Sequence, residues 1–400
     1  MNVKVYKKLA CDVVDQSADE LHEVSREIWS HPELNFEEEY SHGFLTKFLE
    51  TKGFRVERGY KGVKTAFKAT SGKGSPHVAV LCEYDALPEI GHACGHNLIA
   101  ECGVGAGIAI KEVLQKNPGI SGTVTVLGTP AEEGGGGKID LIRNGAFDEF
   151  DICAMAHPSP LTLPDKSPQY LAIQKIEVTY RGKASHAAGY PWEGVNALDA
   201  VVMAYNGISC LRQQMKPTCR VHGVIKNGGA KANIIPELTT LEYYVRGPTM
   251  KDVRELKEKV VKCFEAAALA TGCTMEIKWD DKPYENMMGN KKLIELFRKN
   301  AEEVGVEFEK NPENVYIPTG STDMGNVSHV KPSIHPIFFI GEKVPNHSRD
   351  FTDVAGADKA QPFTLNQAKA MAMTAIDVIC QPDLLQIIKK TFEEDLEAGL

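Results

Sequence analysis

The chain has 400 residues, 42% of them hydrophobic and 25% charged. This balance is that of an ordinary globular protein with room for two or three domains of roughly 100–200 residues, and it excludes whole-chain disorder. Lys and Arg number 45 against 54 Asp and Glu, a formal net charge of −9, which argues against a nucleic-acid partner because that footprint needs a basic stripe.

Ten cysteines are scattered without a C-x-x-C pair, the usage expected of reduced thiols in a cytoplasmic protein. The opening residues carry no apolar core of signal-peptide length. No stretch approaches the about 18 consecutive apolar residues of a membrane span. The expectation is a cytoplasmic protein with no membrane contact.

Along the chain, Leu21, Val24, Ile28 and Trp29 recur at helical spacing, as do Phe44, Leu45, Phe48 and Leu49, before Gly53 stops the second helix. HVAVLC (77–82) is a short buried strand leading into the loop EYDALPEIGHACGHN. A helical stripe from Leu98 to Leu114 follows, then a second strand, TVTVLG (123–128), ending in TPAEEGGGG. A helix from about 138 and an apolar strand near 150–156 complete an α/β pattern with buried central strands. Near residue 173 the period changes to two, and the order β-α-β-β-α-β runs to about 285, a ferredoxin-like unit. After 286, helix and strand alternate again: SIHPIFFIG (333–341) reads as a strand and 364–380 as a long helix. The economical organisation is one discontinuous α/β domain, 1–172 and 286–400, interrupted by an inserted α+β domain at 173–285.

Candidate chemistry collects where strands end. Cys94 and His96, two apart in an extended loop, point to the same side and suit zinc or a related metal. Glu132 and Glu133 diverge on an extended backbone, so one carboxylate can bind metal while the other acts as a base. His157 and His347 each follow a strand. Each feature alone is more often structural: a buried thiol, an acidic turn, a hydrogen-bonded histidine. Together, four strand ends deliver ligand-type side chains to the edge of an α/β sheet where sites gather. Cys94, His96, Glu133, His157 and His347 are too many for one tetrahedral ion, and two metals about 3.5–4 Å apart use them all.

The segments HPELNFEE, DALP, GHACGHN, TPAEEGGGG, SHAA with NALDA, GGAKANIIPE, GSTDMGNVS and PNHS resemble, in this order, the aminoacylase/carboxypeptidase family of dimetal exopeptidases, in its amidohydrolase branch. GHACGHN and GSTDMGN look most like the members that cleave β-alanyl-lysine and related Xaa-Arg or Xaa-Lys dipeptides. The resemblance covers about residues 20–380. It implies a three-layer αβα zinc-exopeptidase-like domain with a lid and dimerisation insert. It also implies Cys94 as the ligand shared by two divalent ions, zinc first and manganese second. His96 and His157 complete one site, Glu133 and His347 the other, and Glu132 is the general base. The larger family carries His-x-Asp where this chain has Glu83-Tyr84-Asp85, so that ligand is absent and His96 takes its place, with Asp85 left to orient the site. In the insert, His186 corresponds to a histidine that polarises the scissile carbonyl, sometimes supplied by the partner subunit. Asn233 and Arg246 correspond to groups that bind the substrate carboxylate.

The function that follows is metal-dependent hydrolysis of an amide in a dipeptide with a basic C-terminal residue; the oligomeric state stays open between a homodimer paired through the insert and an insert edge strand left bare. An N-acyl-amino-acid or aminobenzoyl-glutamate hydrolase is the alternative. Two remoter readings are a non-catalytic binding protein and a Cys94–His96 thiol hydrolase. Neither explains the two glutamates.

Overall fold

The computed structural model describes residues 2–165, 170–310, 312 and 319–398. In chain order it begins with α1 (Val3–Gln16), α2 (Ala18–Ser30), α3 (Glu39–Thr51), β1 (Arg55–Arg58), β2 (Phe67–Lys73), β3 (His77–Cys82), α4 (His96–Lys116), β4 (Gly122–Gly128), α5 (Gly137–Arg143), β5 (Ile152–Ala154) and β6 (His157–Ser159). There follow β7 (Ala172–Arg181), α6 (Ala197–Leu211), β8 (Arg220–Asn227), β9 (Leu238–Gly247), α7 (Met250–Thr271) and β10 (Thr274–Trp279). The last stretch is α8 (Lys291–Glu303), α9 (Met324–Ser328), β11 (Ser333–Ile334), β12 (Ile337–Phe339), α10 (Arg349–Ala355), α11 (Gln361–Cys380) and α12 (Pro382–Glu397). Contacts divide the chain into two compact units, one of Met1–Ser167, Met287–Pro318 and Thr322–Leu400, the other of Pro168–Asn286 with Thr319–Ser321.

The first unit is built on a six-stranded sheet in the order β1-β2-β4-β3-β5-β11. β2 runs antiparallel to β1 and β4, while β4, β3, β5 and β11 are mutually parallel. The central strands are buried on both faces, with Val78, Val80, Val124 and Val126 on one face and Ala79, Leu81, Thr125 and Leu127 on the other, as a sheet covered on both sides requires. α4 is apolar nearly all round and buried along most of its length. Its small residues let it lie against the sheet: a Cβ at Gly103 would stand 2.6 Å from Cys82 Sγ, and one at Gly107 only 2.2 Å from Val126 Cγ2. The parallel strands therefore release their loops at one common edge, and those loops carry the candidate ligands.

Two expected strands are each broken. The run near 150–156 is a strand only over β5, and a further strand, β6, starts at His157 just past it; the run 333–341 gives β11 and then β12, with β6 and β12 forming a separate two-stranded sheet. Pro336 sits at the break; it has no N–H to continue the ladder, while its carbonyl accepts from His157 N at 2.9 Å.

The second unit is an antiparallel sheet in the order β10-β7-β9-β8 with α6 and α7 packed on it. Leu241, Tyr243 and Val245 alternate inward along β9 and are fully buried. Asn196 caps α6 by accepting from Leu198 N at 2.9 Å, Thr249 caps α7, and Gly272 at φ +75° ends it.

Candidate metal centre

All five expected ligand residues belong to the first unit, and they meet. Cys94, His96 and His157 offer ligand atoms within 4.8 Å of one another, and so do Cys94, Glu133 and His347. Cys94 is common to both groups. Its Sγ lies 3.4 Å from His157 Nε2, and His347 Nε2 lies 3.3 Å from Glu133 Oε1.

The local backbone differs from the extended segments expected. Cys94 sits in a turn and His96 is the first residue of α4. Gly95 makes the reversal at φ +77°, where a Cβ would stand 2.5 Å from Pro158 Cγ, so no other residue fits. Glu132 and Glu133 likewise lie in a turn, entered through Ala131 at φ +61°. Thiolate and imidazole thus converge through a tight loop and a helix start, not through strand alternation. His347 has a left-handed backbone too, φ +63°, and its N–H donates to Ala93 O at 2.8 Å, one residue before Cys94.

Hydrogen bonds set the imidazole tautomers. His96 Nδ1 faces Asp85 Oδ1 at 3.1 Å, and His157 Nδ1 faces Pro158 O at 2.8 Å. With Nδ1 protonated in both, the Nε2 lone pairs point at the cluster, the arrangement that orients metal-binding histidines. His96 Nε2 stands 3.4 Å from Glu83 Oε2 and 3.9 Å from both Glu132 Oε2 and Glu133 Oε1. His96 Nε2, Glu83 Oε2 and Glu133 Oε1 are buried without a hydrogen-bond partner. Buried acceptors facing one another are costly unless a cation joins them, so the donor set of one sulfur, three imidazoles and a carboxylate fits metal binding. Asp85 does a second job: its Oδ2 accepts from Glu133 N at 2.9 Å.

Next to the ligands lies a cluster that sequence reasoning missed. Glu83, Glu132 and Asp323 place carboxylate oxygens within 4.8 Å of one another, all buried. Lys138, at the start of α5 and fully buried, bonds Glu83 Oε1 at 2.5 Å and Asp323 Oδ1 at 2.6 Å, and its backbone N–H donates to Asp323 Oδ2 at 3.0 Å. The ammonium fills the position a third cation could take. Burial alone would lower the Lys138 pKa, but Asp323 and Glu83 outweigh it and the group stays charged. Burial first, then Glu83, Glu133 and Asp323, push the Glu132 carboxyl well above the usual range. Glu83 lies in the EYD segment that follows β3 and Asp323 in the GSTDMGNVS segment, but the segments alone give neither a role; Lys138 has no local signal, since its meaning is a contact with Asp323 across 185 positions.

His186, Asn233 and Arg246 belong to the second unit. His186 Nδ1 accepts from Ala188 N and Gly189 N at 3.2 and 3.1 Å, which leaves the proton on Nε2 of the neutral, exposed ring. Asn233 is its neighbour, through Ala187 N to Asn233 O at 3.0 Å. Arg246 is on β9, where its Nε donates to His222 Nε2 at 3.2 Å and its Nη1 to Ser321 Oγ at 3.1 Å. No carboxylate pairs with it among the described residues, so its remaining N–H groups are free for a planar anion. Arg246 is not brought to the other two. β9 begins at Leu238, beyond the Asn233 loop, and Arg246 lies eight positions along it, about 26 Å at roughly 3.3 Å per residue.

The comparisons with known proteins agree with this construction. The profile of the peptidase family M20/M25/M40 matches residues 80–359. The chain is 49% identical over 99% of its length to an Xaa-Arg dipeptidase from Mus musculus, covering 94% of that protein, and 48% identical to one from Homo sapiens over the same shares. It is 36% identical to a p-aminobenzoyl-glutamate hydrolase component from Escherichia coli, over 67% of this chain and 59% of that one. A dinuclear metal-binding peptidase of the M20 family from Bacillus subtilis shares the fold at a TM-score of 0.67 and 19% identity, over 91% of this chain and 99% of that one. The chain belongs to the peptidase family M20/M25/M40 and is a hydrolase.

Proposed function

We propose that the chain is a dimetal dipeptidase that cleaves the amide of a dipeptide ending in a basic residue, of the Xaa-Arg or β-alanyl-lysine type. The observation that carries the chemistry is the pair of ligand groups sharing Cys94, with Glu132 beside them. The near full-length likeness to Xaa-Arg dipeptidases supports the substrate class. Cys94, His96 and His157 would hold one divalent cation, and Cys94, Glu133 and His347 the other. Zinc is the first candidate and manganese the second, since sulfur, imidazole and carboxylate suit both. When bound, such a pair polarises the scissile carbonyl and lowers the pKa of water to about 7.

The chain's own residues do the rest. Glu132 removes a proton from the attacking water and returns it to the leaving amine, a task typically worth about 10²–10⁴-fold. Asp85 keeps the His96 ring turned so that Nε2 faces the cluster. His186, with its proton on Nε2, donates to the carbonyl oxygen as charge develops there. Arg246 takes the terminal carboxylate with its fork, and Asn233 adds a donor.

A dipeptide spans only about 7 Å, so one molecule does not reach both Arg246 and the His186–Asn233 pair of the same chain. A homodimer in which each chain lends His186 and Asn233 to its partner's substrate meets this requirement. The second unit supports such pairing: β8 is an edge strand exposing Val224 and Ile225, and α6 exposes Val202, Met203 and Tyr205. All ten cysteines are free, which supports a cytoplasmic location.

The test is a panel of β-Ala-Lys, Xaa-Arg, acetyl-amino acids and aminobenzoyl-glutamate, with metal quantified in the same sample. Basic dipeptides should be cleaved with about two metal ions per chain, and EDTA should abolish the activity. Activity surviving EDTA would point to a thiol hydrolase. Preference for aminobenzoyl-glutamate would favour the second reading, which the likeness to the Escherichia coli hydrolase keeps open.

A further inference from the structure

The segment HPELNFEE supplies none of the residues assigned above, yet its side chains reach the turn that carries Glu132. Glu38 is fully buried, and its Oε1 accepts from Ala131 N at 2.9 Å and from Phe36 N at 2.9 Å. The other oxygen accepts from Thr65 Oγ1 at 2.8 Å. Asn35 Nδ2 donates to Glu133 O at 3.1 Å. The segment is itself fixed: Glu33 O accepts from Ala86 N at 2.8 Å, and the Glu33 carboxylate caps α3 through Tyr40 N and Ser41 N at 2.7 and 2.9 Å.

The attachments bracket one residue. The N–H before Glu132 goes to Glu38, the carbonyl after it to Asn35, and the N–H of Glu133 to Asp85. Ala131 and Phe36, both bonded to the same Glu38 oxygen, adopt left-handed backbones at φ +61° and +63°. Non-glycine residues keep such a conformation only where their surroundings over-determine it. The packing is close as well, since a Cβ at Gly135 would stand 2.6 Å from Ala131 Cβ and 2.8 Å from Phe36 Cε2.

We propose that Glu38 and Asn35 are positioning residues for the reaction, a clamp from the N-terminal segment that holds the backbone of residues 131–133 and so aims the Glu132 carboxylate. The inference rests on Glu132 being the base. Displacing a reacting group by about 1 Å can cost about 10²-fold in rate, so Glu38→Ala should lower kcat by about that factor with KM and metal content nearly unchanged. Glu38→Gln keeps an oxygen for the two N–H groups and should recover most of the rate. Asn35→Asp is isosteric, lacks the donor, and should cost about tenfold in kcat.

Two further readouts separate this role from general stability and from the parent reading. Amide exchange at residues 131 and 133 should accelerate in Glu38→Ala and Asn35→Asp, whether or not the enzyme turns over. In a Glu132→Gln background, Glu38→Ala should add no further loss of kcat, because the clamp acts through Glu132. If Glu38→Ala does not fold, Asn35→Asp decides. Unchanged kcat in the folded variants, a loss confined to KM, or full additivity with Glu132→Gln overturns the clamp. Near-normal kcat in Glu132→Gln alone overturns the assignment of the base, while the exchange data still report on whether the turn is clamped.

Discussion

Glu101 lies on α4 five residues after His96, and it should make the stability of the first unit fall with pH. Its carboxylate is fully buried; Oε2 accepts from Gln361 Nε2 at 3.0 Å, and Oε1 has no donor. The surroundings add acceptors instead: Asn97 spends its amide N–H groups on Ser25 Oγ and Ala355 O, and the oxygens of Asn97 and Gln361 are likewise without partners. Burial pushes the Glu101 carboxyl from 4.5 up to about 8, and the hydrogen bond from Gln361, with the Ser25 hydroxyl nearby, offsets only part of the rise. At about 1.4 kcal/mol per pH unit, that gap amounts to about 5 kcal/mol. Because the folded-state pKa is the higher one, the proton binds the fold more tightly than the unfolded chain. The stabilisation is therefore complete below about pH 4.5, declines as pH rises, and is exhausted above about pH 8. Glu101→Gln removes the titration and provides an amide that can donate to the unpaired oxygens. Urea unfolding of both proteins at several pH values should show the wild type losing roughly 3–4 kcal/mol more than the variant between about pH 5 and 8. Parallel stability curves would refute the argument, because they would mean that Glu101 ionises alike in both states.

Further outcomes are expected. Glu132→Gln should keep its metal, measured by elemental analysis, and lose about 10²–10⁴-fold in kcat. Cys94→Ser should bind metal more weakly in a chelator competition. In the wild type, peroxide should remove activity in a way that reduction and added metal reverse; a serine variant with unaltered affinity would exclude the shared-ligand role. Lys138→Met leaves Glu83 and Asp323 buried without their cation and should cost about 3–5 kcal/mol in thermal or urea denaturation, whereas Lys138→Met with Asp323→Asn should recover part of that loss.

What could be recognised beforehand followed from local chemistry. HVAVLC and TVTVLG are short, mostly apolar runs buried on both faces because β3 and β4 lie in the middle of a covered sheet, so they are visible in a short window. The inserted unit announces itself through the change to period two near residue 173 and the β-α-β-β-α-β order, which β7 to β10 with α6 and α7 reproduce. Convergence of Cys94, His96, Glu133, His157 and His347 was legible because each follows a strand, and parallel strands end at one edge. The turn at Gly95 was not, since a positive φ and the proximity of Pro158 exist only in three dimensions. The breaks in the two late strands turn on a single missing N–H at Pro336. Glu83, Asp323, Asn35 and Glu38 stand in segments that the family resemblance picks out, but their roles did not show, because the contacts with Lys138 and with the 131–133 turn exist only in the folded chain.

The closeness of α4 to the sheet also bears on how this protein can be adapted to heat. Exchanging glycine for alanine inside a helix ordinarily strengthens it by roughly 0.5–1 kcal/mol. At Gly103 and Gly107 that route is closed, because the added methyl would strike Cys82, Leu81 or Val126 and lever away the helix that begins at His96. Gly43 on the exposed side of α3 has nothing within 4 Å of such a methyl. Thermal hardening of this scaffold is therefore open at the periphery and barred along the rod that carries the imidazole.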